Sequence, residues 1–129
     1  MTGKRLVMTL FEKTFCVCRL NSKEEIPSWA LKNEFYSITK TFEELSVVCV
    51  QENIPENVKC ERDWRILKVE GPLDFSIVGI LSAISSILAR VGVSIFAIST
   101  FDTDYILVKE KDIDEAVKAL AEEGYDIGK

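Results

Sequence analysis

The chain has 129 residues, a net charge of −5 and no histidine, with 47% hydrophobic and 29% charged residues. That is globular composition for one domain or two very small ones, not disorder. An acidic chain without a basic stripe is a poor match for a phosphate backbone, so no nucleic-acid partner is expected. The absence of histidine excludes every Ser-His or Cys-His nucleophile.

In chain order, "KRLVMTLF" (4–11) and "TFCVCRL" (14–20) read as strands around Glu12-Lys13. "IPSWAL" (26–31) reads as a turn or single helical turn with Pro27 at its start. "EFYSITK" (34–40) alternates as a strand does. Thr41 and Glu44 stand at capping-box spacing, which predicts a short helix opening at "TFEEL" (41–45). "SVVCVQ" (46–51) is a buried strand, and "ENIPENVKCER" (52–62) reads as a linker.

The second half follows with "DWRILKVEG" (63–71), a strand ended by Gly71-Pro72. Ile77, Ile80, Leu81, Ile84, Leu88 and Val91 recur at helical spacing, with Asp74 or Ser76 to cap the start and Gly92 to end it. "VSIFAIS" (93–99) and "DYILVKE" (104–110) form a hairpin. A second helix is predicted from about Asp112 to Glu123, with a capping-box pair at Asp112 and Glu115 and a stop at Gly124. "YDI" (125–127) is a last strand.

The order β-α-β-β-α-β is solved physically by a ferredoxin-like α+β unit: an antiparallel sheet with both helices on one face. Strand 93–99 should then have one polar face. Instead Val93, Ile95 and Ala97 lie on one side and Phe96 and Ile98 on the other, so a second sheet or another subunit is expected to cover it. Each half is marginal for burying its own core. Residues 1–60 and 61–129 are therefore expected as two tandem halves packed as one unit, in a homodimer or higher homo-oligomer.

No apolar stretch approaches the roughly 20 residues that span a bilayer, and the N-terminus is not a convincing signal peptide, so no membrane partner is expected and the location is read as cytoplasmic. Cys16, Cys18, Cys49 and Cys60 show no C-x-x-C spacing and are expected to be reduced, buried thiols with no metal. There is no Walker A loop, no G-x-G-x-x-G and no metal-ligand cluster, so no cofactor, no catalytic residue and no enzyme activity are expected. The acid excess is local. Residues 1–60 hold eight basic and eight acidic residues, whereas residues 61–129 hold eight and thirteen.

"GPLDFSIVGILS" and "VGVSIFAISTFDTDYILV" are the most specific pieces of a resemblance that covers nearly the whole chain. The chain resembles ACT-domain proteins of the aspartokinase-regulatory and arginine-sensor-like branch, of the short, stand-alone tandem type. "FCVCRL", "IPSWAL" and "FYSITKTFEELSVVCV" resemble the first half of those proteins. Glu12-Lys13-Thr14 departs from the glycine-containing turn often found there. The resemblance implies tandem βαββαβ units that pair side by side, and a regulatory amino-acid ligand held at the seam between them. A protein partner whose activity is regulated is also implied. The alternative it leaves is an assembly module without a ligand.

The resemblance points to two places. One is the strand-to-helix loop Pro72, Leu73, Asp74, Phe75 and Ser76, where backbone N–H groups at a helix start suit a carboxylate. The other is the strand end and hairpin tip, Ile98, Ser99, Thr100, Phe101, Asp102 and Asp104. Here carboxylates could accept a ligand ammonium and Phe101 could cover an aliphatic side chain. Positions matching Thr100, Phe101 and Asp104 line the pocket of the arginine sensors. Those sensors also use an acid where this chain has Ile77, which argues against arginine itself. Read from the residues alone, the same aspartates could equally be turn residues bonding their own backbone.

Overall fold

A computed structural model describes residues 6–70 and 79–128. Two compact units form, one from Lys13–Trp64 and one from Met1–Glu12 with Arg65–Lys129. The expected division at residue 60 is therefore displaced in two ways. The first strand belongs with the C-terminal unit, and the boundary falls inside a strand.

In the unit Lys13–Trp64, strands β2 (Phe15–Leu20), β3 (Ser37–Lys40), β4 (Leu45–Val50) and the beginning of β5 (Lys59–Val69) lie in the order β3-β4-β2-β5, all antiparallel. Cys16, Cys18, Leu45, Val47 and Cys49 bury one face, and Ala30 from a 3-10 turn at Ser28–Leu31 packs on it. Phe15 meets Phe35 edge-to-face with ring centroids 5.7 Å apart. The helix predicted at 41–45 is absent. Thr41 Oγ1 accepts from the N–H groups of Glu43 and Glu44 at 3.1 Å each, as a cap would. But Thr41 N–H donates to the Glu44 carbonyl at 2.9 Å, closing a β3–β4 hairpin. Leu45, Val47 and Cys49 alternate into the core, and that burial outweighs the local helix signal.

The predicted linker 52–62 is also corrected, because β5 begins at Lys59 and sets Cys60 opposite Cys18. Its register against β2 slips between Phe15 and Val17. Asp63 takes a left-handed conformation there, with φ of 70°. Gln51 holds it by a pair of bonds: Asp63 N–H donates to Gln51 Oε1 at 2.6 Å, and Gln51 Nε2 donates to Asp63 Oδ1 at 2.9 Å. Aspartate tolerates this conformation better than most residues, so a bulge forms without glycine.

In the other unit, β6 (Ile95–Ser99), β7 (Asp104–Lys109), β5, β1 (Val7–Leu10) and β8 (Asp126–Gly128) lie in the order β6-β7-β5-β1-β8. The predicted order of elements is found, but the four-stranded sheet has gained a fifth strand. β1 is antiparallel to β5, with Met8 opposite Val69, and parallel to β8, with Met8 opposite Ile127. Helices α1 (Ile80–Arg90) and α2 (Ile113–Glu122) bury Ile84, Leu88, Ala116 and Leu120 against Met8, Leu67, Val69, Ile106 and Val108.

Helix starts differ from prediction and helix ends do not. Gly79, with φ of 87°, is the N-cap of α1; Asp74 and Ser76, the expected caps, lie outside the described residues. Asp112 makes no side-chain cap bond. Its φ of −108° and ψ of −1° follow from a preceding 3-10 turn, not from the extended backbone that an N-cap needs. At the ends, Val93 N–H donates to the Leu88 carbonyl and Gly92 N–H to that of Ala89. Tyr125 and Gly124 repeat the pattern with Leu120 and Ala121. Both helices thus close in Schellman motifs on left-handed glycines, with φ of 78° at Gly92 and 98° at Gly124.

A Cβ at Gly124 would meet no atom within 4 Å, so only backbone strain opposes a side chain there. Gly124→Ala should cost about 1–2 kcal/mol in urea unfolding, with an unchanged denaturant slope. Gly124→Asn should cost less.

Candidate functional site

The hairpin β6–β7 pairs Ile95 with Val108 through to Ser99 with Asp104, leaving Thr100 to Thr103 as its turn. The turn holds itself. Thr100 N–H donates to the Thr103 carbonyl at 2.8 Å, and Thr100 Oγ1 donates to the same carbonyl at 3.1 Å. Thr103 N–H returns a bond to Thr100 Oγ1 at 3.4 Å. The Thr100 hydroxyl, expected to line the ligand pocket, is therefore occupied by the backbone of its own turn.

Thr103 was missed by sequence reasoning. It is only 5% exposed, and its hydroxyl donates to the Val69 carbonyl. That bond ties the hairpin tip to the end of β5, where the loop to α1 begins. A buried threonine in an acidic turn leaves a faint sequence signal: Thr103 is the small residue between two exposed-type aspartates.

Ser99 Oγ donates to Asp104 Oδ1 at 2.5 Å across the closing pair. The other Asp104 oxygen has no partner among the described residues. Asp102 is exposed, and Phe101 is 80% exposed. Ile98 is half-buried and Ala97 exposed, so β6 lacks a fully covered face. Among the described residues β6 pairs with β7 alone, which leaves its other edge open. The structure thus brings Ile98, Ser99, Thr100, Phe101, Asp102 and Asp104 together at one sheet end. Pro72, Leu73, Asp74, Phe75 and Ser76 lie outside the described residues.

A further acid stands beside the start of that loop. Glu70 accepts the Thr9 hydroxyl at 2.6 Å and pairs with Lys68 at 3.4 Å. The Thr9 hydrogen bond, reinforced by Lys68, holds its carboxyl below the usual carboxylate range.

A separate cleft of about 370 Å³ was not foreseen. Leu10, Ile113 and Val117 line it with Arg65, Asp114 and Lys118. Arg65 Nη2 donates to the Phe11 carbonyl at 2.8 Å, while its buried Nε has no hydrogen-bond partner among the described residues. The lining is drawn from separate elements of the fold, so no sequence window contains it. None of the predicted site residues among the described ones lines it. Of metal-ligating side chains, one group converges among the described residues: Cys16, Cys18 and Cys60.

A family model described as an ACT domain matches residues 59–122, and a second, described as an N-terminal domain, matches residues 13–57. The cytosolic arginine sensor for mTORC1 subunit 1 of Bos taurus is 30% identical over 101 residues. That match takes in 70% of this chain and 31% of the sensor, so the chain spans under a third of that relative's length. The sensor of Rattus norvegicus is 41% identical over 58 residues, 44% of this chain and 18% of its own. The crystal structure of an Agrobacterium tumefaciens protein, 35% identical, superposes with a TM-score of 0.90 over 97% of this chain and 93% of that one. Clostridium acetobutylicum aspartate kinase, at 15% identity, shares the fold with a TM-score of 0.65 over 88% of this chain and 33% of the kinase. The chain belongs to the ACT-domain proteins.

Proposed function

We propose that the protein is a regulatory, non-catalytic, amino-acid-binding module whose ligand sits at a seam between ACT units, in the cytoplasm. The observation that carries this is Asp104. One carboxylate oxygen is oriented by Ser99 and the other has no partner among the described residues, at a hairpin tip anchored to β5 through Thr103. An oriented carboxylate with a spare oxygen suits an ammonium group. In this reading loop 72–76 would bind the ligand's carboxylate through its backbone N–H groups. Phe101 and the edge of β6 supply apolar cover once a second copy of the chain closes the seam.

The relatives support the ligand class. The mammalian proteins that this chain resembles are named as arginine sensors, and those solved structures that are aspartate kinases carry the same fold in an allosteric enzyme. Ile77 in place of an acid argues for a ligand other than arginine. A second reading, assembly without a ligand, is favoured by the open edge of β6. In both readings the module acts on a protein partner through its assembly.

Thermal unfolding with each of the twenty amino acids separates the two readings. A ligand at 100 times its Kd should stabilise the fold by about 2.7 kcal/mol. If no amino acid at millimolar concentration moves the transition, the assembly reading replaces the sensor reading. For the amino acid that does bind, Asp104→Asn should weaken affinity about ten- to a hundredfold with little change in stability. Unchanged affinity would make Asp104 a turn residue only.

Thr103→Val should behave oppositely. It should lower the stability of ligand-free protein by about 1–2 kcal/mol, because the Val69 carbonyl loses its donor. Light scattering at micromolar concentration should report a dimer or larger assembly, and a monomer would count against the seam.

A further inference from the structure

Four thiols meet on one face of the unit Lys13–Trp64. Cys16 and Cys18 are two apart on β2 and so share a face. Cys49 on β4 lies opposite Cys16, and Cys60 on β5 lies opposite Cys18. The Sγ atoms of Cys16, Cys18 and Cys60 all lie within 4.8 Å of one another. Cys49, directly across the ladder from Cys16, stands beside this triangle on the same face but outside it. Cys16, Cys18 and Cys49 are 0–2% exposed, and Cys60 is partly open to solvent.

A buried cysteine is ordinarily a small apolar residue. Filling a core needs no more than that, and Leu45, Val47 and Ala30 do it in the same cluster. Three soft donors drawn from two strands onto one point, with a fourth next to them across the ladder, are a different arrangement. Thiolate donors select zinc, cuprous copper or iron–sulfur clusters. A tetrahedral zinc with bonds of about 2.3 Å wants sulfurs about 3.8 Å apart, so the present triangle needs to contract by about 1 Å at most. Sequence spacing hid the arrangement. Zinc sites are recognised by pairs of ligands close in the chain, and here the pairing is made across strands.

We propose that Cys16, Cys18 and Cys60 form a thiolate site for one zinc ion, with Cys49 turning in from its place across the ladder as the fourth ligand. The ion enters from the partly open Cys60 side. Each ligating thiol gives its proton to solvent as its sulfur–zinc bond forms, with no change of oxidation state. The neighbouring Cys18 thiol, then burial, pushes Cys16 up. Cys16 favours the Cys18 thiolate, but Cys49 and burial outweigh it and push Cys18 up to about 12. The Cys18 thiol holds Cys49 below its ordinary value. The Arg62 guanidinium favours the thiolates of Cys16 and Cys60.

The test uses the full chain under a non-coordinating reductant, titrated with cobalt(II) as a coloured stand-in for zinc. One equivalent should give sulfur-to-cobalt charge-transfer absorption with tetrahedral d–d bands, and zinc should displace it. Cys18→Ser and Cys60→Ser should lose the bands, while Cys49→Ala should keep them with charge-transfer intensity lower by about a quarter, as three sulfurs replace four. Circular dichroism of the metal-free variants checks that they fold. Should they not fold, alkylation of the parent serves instead: zinc should protect its thiols from iodoacetamide, and a chelator should restore reaction. Absence of the charge-transfer band with excess cobalt, bands that persist in Cys18→Ser, unchanged alkylation with zinc, or capture of cuprous copper alone would each overturn the proposal.

Discussion

The insertion of β1 between β5 and β8 is the constraint on which the C-terminal unit rests. Met8 and Leu10 enter the core beneath both helices, and β8 pairs with β1 alone among the described strands. The short last strand is thus held by a segment from the other end of the chain. The same ladder fixes the end of β5. Glu70 N–H donates to the Val7 carbonyl at 2.8 Å, and the Glu70 carboxylate takes the Thr9 hydroxyl. Val69, one residue earlier, offers its carbonyl to Thr103. The hairpin tip is therefore tied to a strand end that is itself fixed by hydrogen bonds closing long loops of chain. Such closure is entropically costly and is offset by the apolar burial of Met8, Leu67, Val69 and Ile106.

A site placed there has a rigid half and an adaptable half. The hairpin is rigid because its own backbone and threonine hydroxyls satisfy one another. Among the described residues it leaves one carboxylate oxygen of Asp104 and one edge of β6 without a partner. These are the elements a ligand or a second copy can use without disturbing the fold. A regulatory role suits that division, because binding that joins copies shifts an equilibrium between assembly states. Differential binding to those states is what would carry the signal.

The unit Lys13–Trp64 follows different physics. It has no α-helix, and its core is a sheet face covered by a single 3-10 turn and lined with thiols. Small units of this kind are often stabilised by a metal. A zinc ion would supply to this unit what the two helices supply to the other.

Periodicity determined much of the architecture. The order of strands and helices from β5 to β8 was legible, as were the apolar stripes of α1 and α2 and the left-handed stops at Gly92 and Gly124, because each depends on residues close in the chain. So was the kinship with ACT domains, and with it the expectation of a regulatory ligand. Tertiary structure decided the rest. Thr41 and Glu44 carry a helix-start signal that became a hairpin because Leu45, Val47 and Cys49 bury better in a sheet. Residues 59–62 resemble a linker by charge, yet pair as a strand because Cys60 finds Cys18. β1 crossed into the C-terminal unit for the sake of a ladder with β5 that no local pattern announces. The anchoring role of Thr103 and the meeting of four cysteines are of the same kind. Both join residues from separate strands, and a one-dimensional spacing rule has no access to a contact that only the sheet register creates.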